Sequence, residues 1–252
     1  MYTDSYTVHK YQRDGYVLVE NLFSNPEVAA LINAVETGHR VAQTTRASKD
    51  ADGRPSKLAI WQDLGDDIWS DVSTCPRIVN TARILLGEEL SFFHGKVMLK
   101  EAKSGGAWEW HQDYGYWYRY QGFAFPRLIS AFTALDASTR ENGCLQVLRG
   151  SHAMGRLEHG TTGTQTGIDK ERLALVEPIF ERVYCEMTPG SVLFFHSNLL
   201  HSSSPNNSDR DRRAFITCYN ALSNPALLSG RDNLQQPCPT GSDDWLGGRL
   251  HA

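Results

Sequence analysis

The chain has 252 residues, 40% of them apolar, and a formal net charge of −4. That length suits a single domain spanning 1–252, and the lack of any basic block argues against nucleic acid or a membrane surface as a partner. Met1-Tyr2-Thr3-Asp4-Ser5 leads into polar sequence without the apolar centre of a signal peptide, and no apolar run approaches the length of a membrane span. The five cysteines (Cys75, Cys144, Cys185, Cys218 and Cys238) are odd in number and form no CxxC pair. They indicate neither a zinc knuckle nor a disulfide framework, so a reduced, cytoplasmic protein is expected. Nothing in the sequence sets an oligomeric state.

In chain order, Gly15-Tyr16-Val17-Leu18-Val19 predicts a short strand. Asn25-Pro26 then opens a helix, with Val28, Leu31, Ile32 and Val35 at helical spacing. Residues 44–56 are polar and predict a loop. Residues 57–61 resume a strand, and 66–86 predict one or two helices ending at Gly87. From Leu90 the character changes. Residues 91–99, 108–112, 128–135, 143–148, 192–195 and 214–219 are short β-branched, aromatic or aliphatic runs punctuated by Gly, Pro, Asn and Ser. They predict a sandwich or barrel with helices outside it. Residues 155–170, rich in Gly and Thr, and the polar stretch 223–252 predict long loops. The first of these, with the aromatic segment 114–120, is a candidate mobile cover for a site.

The chemistry-bearing segment is Trp108-Glu109-Trp110-His111-Gln112-Asp113. In an extended strand residues i and i+2 face one side, so His111 and Asp113 can present an imidazole and a carboxylate to one point. The aromatic flanks suggest a partly buried pocket, where an unpaired carboxylate is costly and a metal is a natural partner. A second imidazole is available from His196 or His201, beyond the strand 192–195. His201 is favoured, because the Ser/Pro/Asn/Asp stretch 202–211 predicts a turn that returns the chain to Arg212 on a neighbouring strand. Two histidines and a carboxylate with open positions form the ligand set of non-haem Fe(II) oxygenases. His94, His152, His159 and His196 have no spacing that demands a second metal.

Arg212 and Arg213 begin the strand over 214–219. Being adjacent, they face opposite sides, and an inward guanidinium needs an anion, best a bidentate carboxylate. The residues leave open which of the two points inward. The aromatic residues Tyr114, Tyr116 and Trp117 follow the metal motif directly and are candidate substrate-binding groups, or a packed covering loop.

These residues together resemble the phytanoyl-CoA dioxygenase family of Fe(II)- and 2-oxoglutarate-dependent oxygenases, which includes ectoine hydroxylases. The resemblance runs from about Tyr11 to Asn220. It rests on Asp14-Gly15-Tyr16-Val17, on Trp110-His111-Gln112-Asp113, on Glu141-Asn142-Gly143-Cys144-Leu145 followed by Gly150-Ser151-His152, and on His201-Ser202-Ser203 with Arg212. It implies that His111, Asp113 and His201 bind Fe(II). It also implies that Arg212, with Ser203, holds the far carboxylate of 2-oxoglutarate, and that Lys57, Gln112 and Phe132 lie near that cosubstrate.

The fold so implied is a double-stranded β-helix, a cupin-like jelly-roll barrel with flanking N-terminal helices. The implied reaction uses O2 to hydroxylate an unactivated C–H bond of a small metabolite or natural-product intermediate, releasing succinate and CO2. Asp113 speaks against a halogenase, because family halogenases carry a small residue in place of that carboxylate. No basic cluster suits the phosphates of an acyl-CoA. Two alternatives are a cupin-like metal enzyme that does not use 2-oxoglutarate and a non-catalytic small-molecule-binding protein on the same scaffold.

Overall fold

The computed structural model describes residues 4–250. α1 (Ser5–Asp14) begins at Asp4, whose carboxylate accepts from the Thr7 amide, and ends at Gly15 with φ of 82°. Glycine takes that left-handed conformation without steric cost. β1 (Tyr16–Val19) follows, then α2 (Asn25–Thr37), opened by a Ser24–Glu27 capping box, and α3 (His39–Thr44). The loop expected over 44–56 is instead largely the hairpin of β2 (Thr45–Lys49) and β3 (Pro55–Trp61). β2 is a mostly exposed edge strand, so no apolar alternation announces it. The helical stretch 66–86 divides at Cys75 into α4 (Ile68–Thr74) and α5 (Pro76–Leu86), because a proline is accommodated at the first turn of a helix.

The second half contains β4 (Leu90–Lys100), β5 (Trp108–His111), α6 (Asp113–Gln121), β6 (Leu128–Ala134) and β7 (Leu145–Leu148). It continues with β8 (His159–Thr162), β9 (Gln165–Ile168), α7 (Lys170–Val176), β10 (Arg182–Cys185) and β11 (Val192–His196). It ends with β12 (His201–Ser203), β13 (Arg212–Ala221) and α8 (Trp245–Leu250). A seven-stranded sheet runs β1-β11-β6-β13-β4-β3-β2, and a four-stranded sheet runs β10-β7-β12-β5. All their pairings are antiparallel. This is the expected jelly roll, with one correction. Among the described strands no ladder joins the two sheets, so they form a sandwich and not a closed barrel.

Strand alternation sorts the core into two layers. On β13, Phe215 and Tyr219 pack with Trp69, Ile78 and Leu31 between the large sheet and the helices. Ala214, Ile216 and Cys218 face the other way, toward Val147 and Leu145 of the small sheet. β6 and β11 divide likewise, Phe132, Leu193 and Phe195 lying inside. The cavity described below opens into this inner layer.

Two expected loops are folded. Within 155–170, β8 and β9 form a hairpin whose Gln165 accepts from the Glu109 amide of β5 at 3.1 Å. Its tip docks on β2, where Thr164 Oγ1 accepts from the Lys49 amide at 2.6 Å. After residue 223 the chain returns to the core, burying Leu234, Cys238 and Trp245. The aromatic segment after His111, expected as a loop, is helix α6. β5 ends at His111, so Asp113 reaches its place from the first turn of a helix and not from the strand.

Candidate active site

His111 on β5 and His201 on β12 are direct cross-strand partners. Each ring is held by the same local device, an Nδ1 bond to a carbonyl two residues earlier. The distances are 2.6 Å to Glu109 O for His111 and 2.9 Å to Leu199 O for His201. A carbonyl can only accept, so Nδ1 carries the proton and the Nε2 lone pair of each ring is free to ligate. Burial pushes His201 down to about 3, which keeps it neutral.

Asp113 is fully buried. Burial alone would raise its carboxyl, but the ammonium of Lys96 outweighs that and holds it well below the usual carboxylate range. Tyr116 donates to Oδ1 at 2.5 Å and Ser130 to Oδ2 at 3.4 Å. The ligand atoms of His111, Asp113 and His201 lie within 4.8 Å of one another. Two imidazoles with Nε2 turned to one point, one ionised carboxylate and an adjoining cavity fit a divalent iron with positions left open.

The cavity has a volume of about 450 Å³ and reaches from these residues to Arg212 and Ser203. Arg212 is buried, lies 5.7 Å from the Phe132 ring centroid and donates Nη2 to Gly143 O at 3.0 Å. Its Nε has no partner among the described residues, and burial lowers the guanidinium to about 10. Lys100 lies opposite Arg212 in the β4–β13 ladder. It donates to Ser203 Oγ at 2.8 Å and to Ser204 O. Burial, with Arg212 adding repulsion, pushes Lys100 well below its usual range. Among the described residues no carboxylate is hydrogen-bonded to Arg212 or Lys100, so the open Nε of a buried guanidinium is available to an entering anion. Arg213 faces away and is paired with Asp136 and Glu36.

The family model for phytanoyl-CoA dioxygenase matches residues 11–214. The chain belongs to the phytanoyl-CoA dioxygenase family. It is 26% identical over 246 residues to an L-proline trans-4-hydroxylase of Streptomyces griseoviridis, spanning 89% of this chain and 91% of that protein. It is 30% identical over 232 residues to an ectoine dioxygenase of Bordetella bronchiseptica, spanning 86% and 75%. The structure of EctD from S. alaskensis with 2-oxoglutarate and 5-hydroxyectoine superposes with a TM-score of 0.74 at 26% identity, covering 94% of this chain and 89% of that one. As a member of this family the protein is an Fe(II)- and 2-oxoglutarate-dependent dioxygenase that uses O2 and acts on a small molecule. Neither a cupin-like enzyme without 2-oxoglutarate nor a non-catalytic binder is favoured.

Against this family frame, the structure brings together His111, Asp113, His201, Arg212, Ser203, Phe132, Tyr116 and Trp117, and leaves three expected residues outside. Lys57 points away from the cavity and pairs with Glu101 at 2.7 Å, while its neighbours Leu58 and Ile60 line the wall. Gln112 is buried, and its amide bonds Leu157, Asn198 and Gly155, so it braces the segment leading to β8. Tyr114 turns its hydroxyl to Phe123 O and Ala124 O, away from the cavity. The helix explains the last correction: Tyr114 and Tyr116 are two apart, and in a helix such residues do not share a face. Lys96, Lys100 and Gln165 were missed. Polar His94, Lys96 and Lys100 recur at every second or fourth position of β4, and that period was the available signal.

Proposed function

We propose that this dioxygenase hydroxylates a C–H bond of a small metabolite or natural-product intermediate. Fe(II) is held by His111, Asp113 and His201, and the distal carboxylate of 2-oxoglutarate by Arg212, Lys100 and Ser203. The observation that carries the reading is the convergence of two Nε2 lone pairs and a buried carboxylate on a cavity that also holds an unpartnered Arg212 Nε. The relatives named for L-proline and for ectoine support a small-molecule substrate.

When bound, the iron and its keto-acid cosubstrate supply the O2 chemistry, with succinate and CO2 as coproducts. The protein supplies position and environment. The two Nδ1 bonds fix each imidazole, and Tyr116 and Ser130 fix the carboxylate. Arg212 and Lys100 orient the cosubstrate by its far end. Tyr116, Trp117 and Trp108 form an apolar wall that excludes water from the reacting carbon. The β8–β9 hairpin closes the opposite side through Thr164, Gln165 and Thr166.

A reduced, cytoplasmic setting belongs to the same reading, since all five cysteines are free and buried. Among the described residues no helix is long and apolar enough to cross a membrane. The test is a panel of small metabolites scored for substrate-dependent succinate release with Fe(II) and 2-oxoglutarate. Succinate release that is stoichiometric with a hydroxylated product supports the proposal. Turnover that yields only a desaturated or cyclised product contradicts hydroxylation.

A further inference from the structure

β4 sends alternate side chains into the cavity: His94, Lys96 and Met98 line it, and Lys100 continues the row beside Ser203. Lys100 lies opposite Arg212 in the ladder and Lys96 opposite Ile216. Four residues of strand separate the two lysines, about 13 Å. Lys96 therefore stands away from the Arg212 end, on the part of the cavity walled by Tyr116 and Trp117.

The Lys96 side chain is 13% exposed, and its closest carboxylate oxygen is Asp113 Oδ1 at 4.0 Å, beyond hydrogen-bonding distance. No hydrogen-bond acceptor engages its ammonium among the described residues. Beside it His94 is 4% exposed and leaves Nε2 without a partner. Apart from Asp113 of the metal site, no acidic side chain among the described residues lines the cavity. Among the described residues Asp113 is the carboxylate paired with Lys96, and a bound metal would draw that charge to the other side. Arg46, exposed at the rim, adds positive charge to the entrance. A nearly buried ammonium with unfilled donors is costly unless a ligand supplies the counter-charge.

We propose that the substrate carries a carboxylate and that Lys96 binds it, with His94 as a second hydrogen-bonding group. The assignment rests on the Fe(II) and 2-oxoglutarate reading and names the substrate class within it: small acids with an apolar or aromatic body. One ammonium matches one negative charge, which favours a carboxylate over a phosphate dianion.

The test uses the Fe(II)-loaded protein under anaerobic conditions at saturating 2-oxoglutarate, titrated calorimetrically with benzoate and phenylacetate and with their primary amides. Each acid is expected to bind about tenfold or more tightly than its amide, the scale of a desolvated charge pair. Lys96→Met is expected to abolish the preference and Lys96→Arg to retain it, both with wild-type affinity for 2-oxoglutarate. Equal binding of acid and amide, or no binding of either acid, overturns the assignment. Weaker 2-oxoglutarate binding in Lys96→Met also overturns it, by giving the lysine to the cosubstrate. Failure of the wild-type protein to bind 2-oxoglutarate removes the underlying functional reading, a result distinguishable from the others.

Discussion

His111 and His201 face each other across the β5–β12 pair with ring centroids 4.1 Å apart. Their Nδ1 atoms are tied to Glu109 O and Leu199 O, so the metal-facing nitrogens are set by backbone and not by free rotation. Asp113 completes the set from the first turn of α6, where Tyr116, one turn further on, donates to its carboxylate.

Such a site has no redundancy. His111→Ala, Asp113→Ala and His201→Ala are each expected to lower turnover more than about 100-fold, since loss of an outer partner alone typically costs 10–100-fold. Far-UV circular dichroism should stay unchanged. Succinate release near the wild-type rate in any one of them, with added Fe(II), would remove that residue from the ligand set.

The adjacent arginines separate cleanly. Arg212→Ala is expected to weaken 2-oxoglutarate binding by about 2–5 kcal/mol, the usual result of leaving a buried charge unpaired. Arg213→Ala loses its partly exposed pairs with Asp136 and Glu36, about 1 kcal/mol of stability at most, and should leave cosubstrate affinity intact. Cosubstrate titrations of both variants check this; the reverse order would move the clamp to Arg213.

Gly115 tests how the hairpin is attached. A Cβ there would fall inside the His159 ring, which is pinned at Nε2 by the Gln112 amide and at Nδ1 by Leu157 O. Gly115→Ala is expected to dislodge β8–β9 and to raise hydrogen exchange across 155–170, with a loss of activity. Unchanged exchange in that segment would mean the hairpin's place does not depend on His159.

Acid should destabilise the fold in a defined window. Burial depresses His196 and His201 to about 3 and His159 to about 4. Between these values and the unfolded value near 6.5 the unfolded chain binds more protons, so stability rises with pH and falls on acidification. The thermal midpoint should drop between pH 7 and pH 4, and unfolding near pH 5 should take up protons. A midpoint flat across that window would contradict neutral buried histidines.

The candidate histidines follow from local rules, a strand period and a turn composition; the opposite facing of adjacent residues says only that one of Arg212 and Arg213 points inward, and the family resemblance is what singles out Arg212. Lys57, Gln112 and Tyr114 were misplaced because their direction is set by tertiary structure. The pairing of β3 with β4 turns Leu58 inward and Lys57 out, and the helix that starts at Asp113 turns Tyr114 away from Tyr116. The edge strand β2 and the β8–β9 hairpin lack an apolar face, so sequence patterning could not announce them. Lys96 and Lys100 were hidden for the opposite reason. They sit in a strand apolar enough to read as core, where burial of a lysine makes sense only once the cavity is seen.

Calorimetric titration of 2-oxoglutarate into the anaerobic protein, with and without Fe(II), for the wild type, His201→Ala and Arg212→Ala decides whether iron and cosubstrate share this cavity. The wild type should show one site per chain, strengthened by Fe(II). In His201→Ala the iron-dependent gain should disappear, and in Arg212→Ala affinity should fall with the iron site intact. Binding that ignores the metal, or that survives both substitutions unchanged, would contradict a shared site.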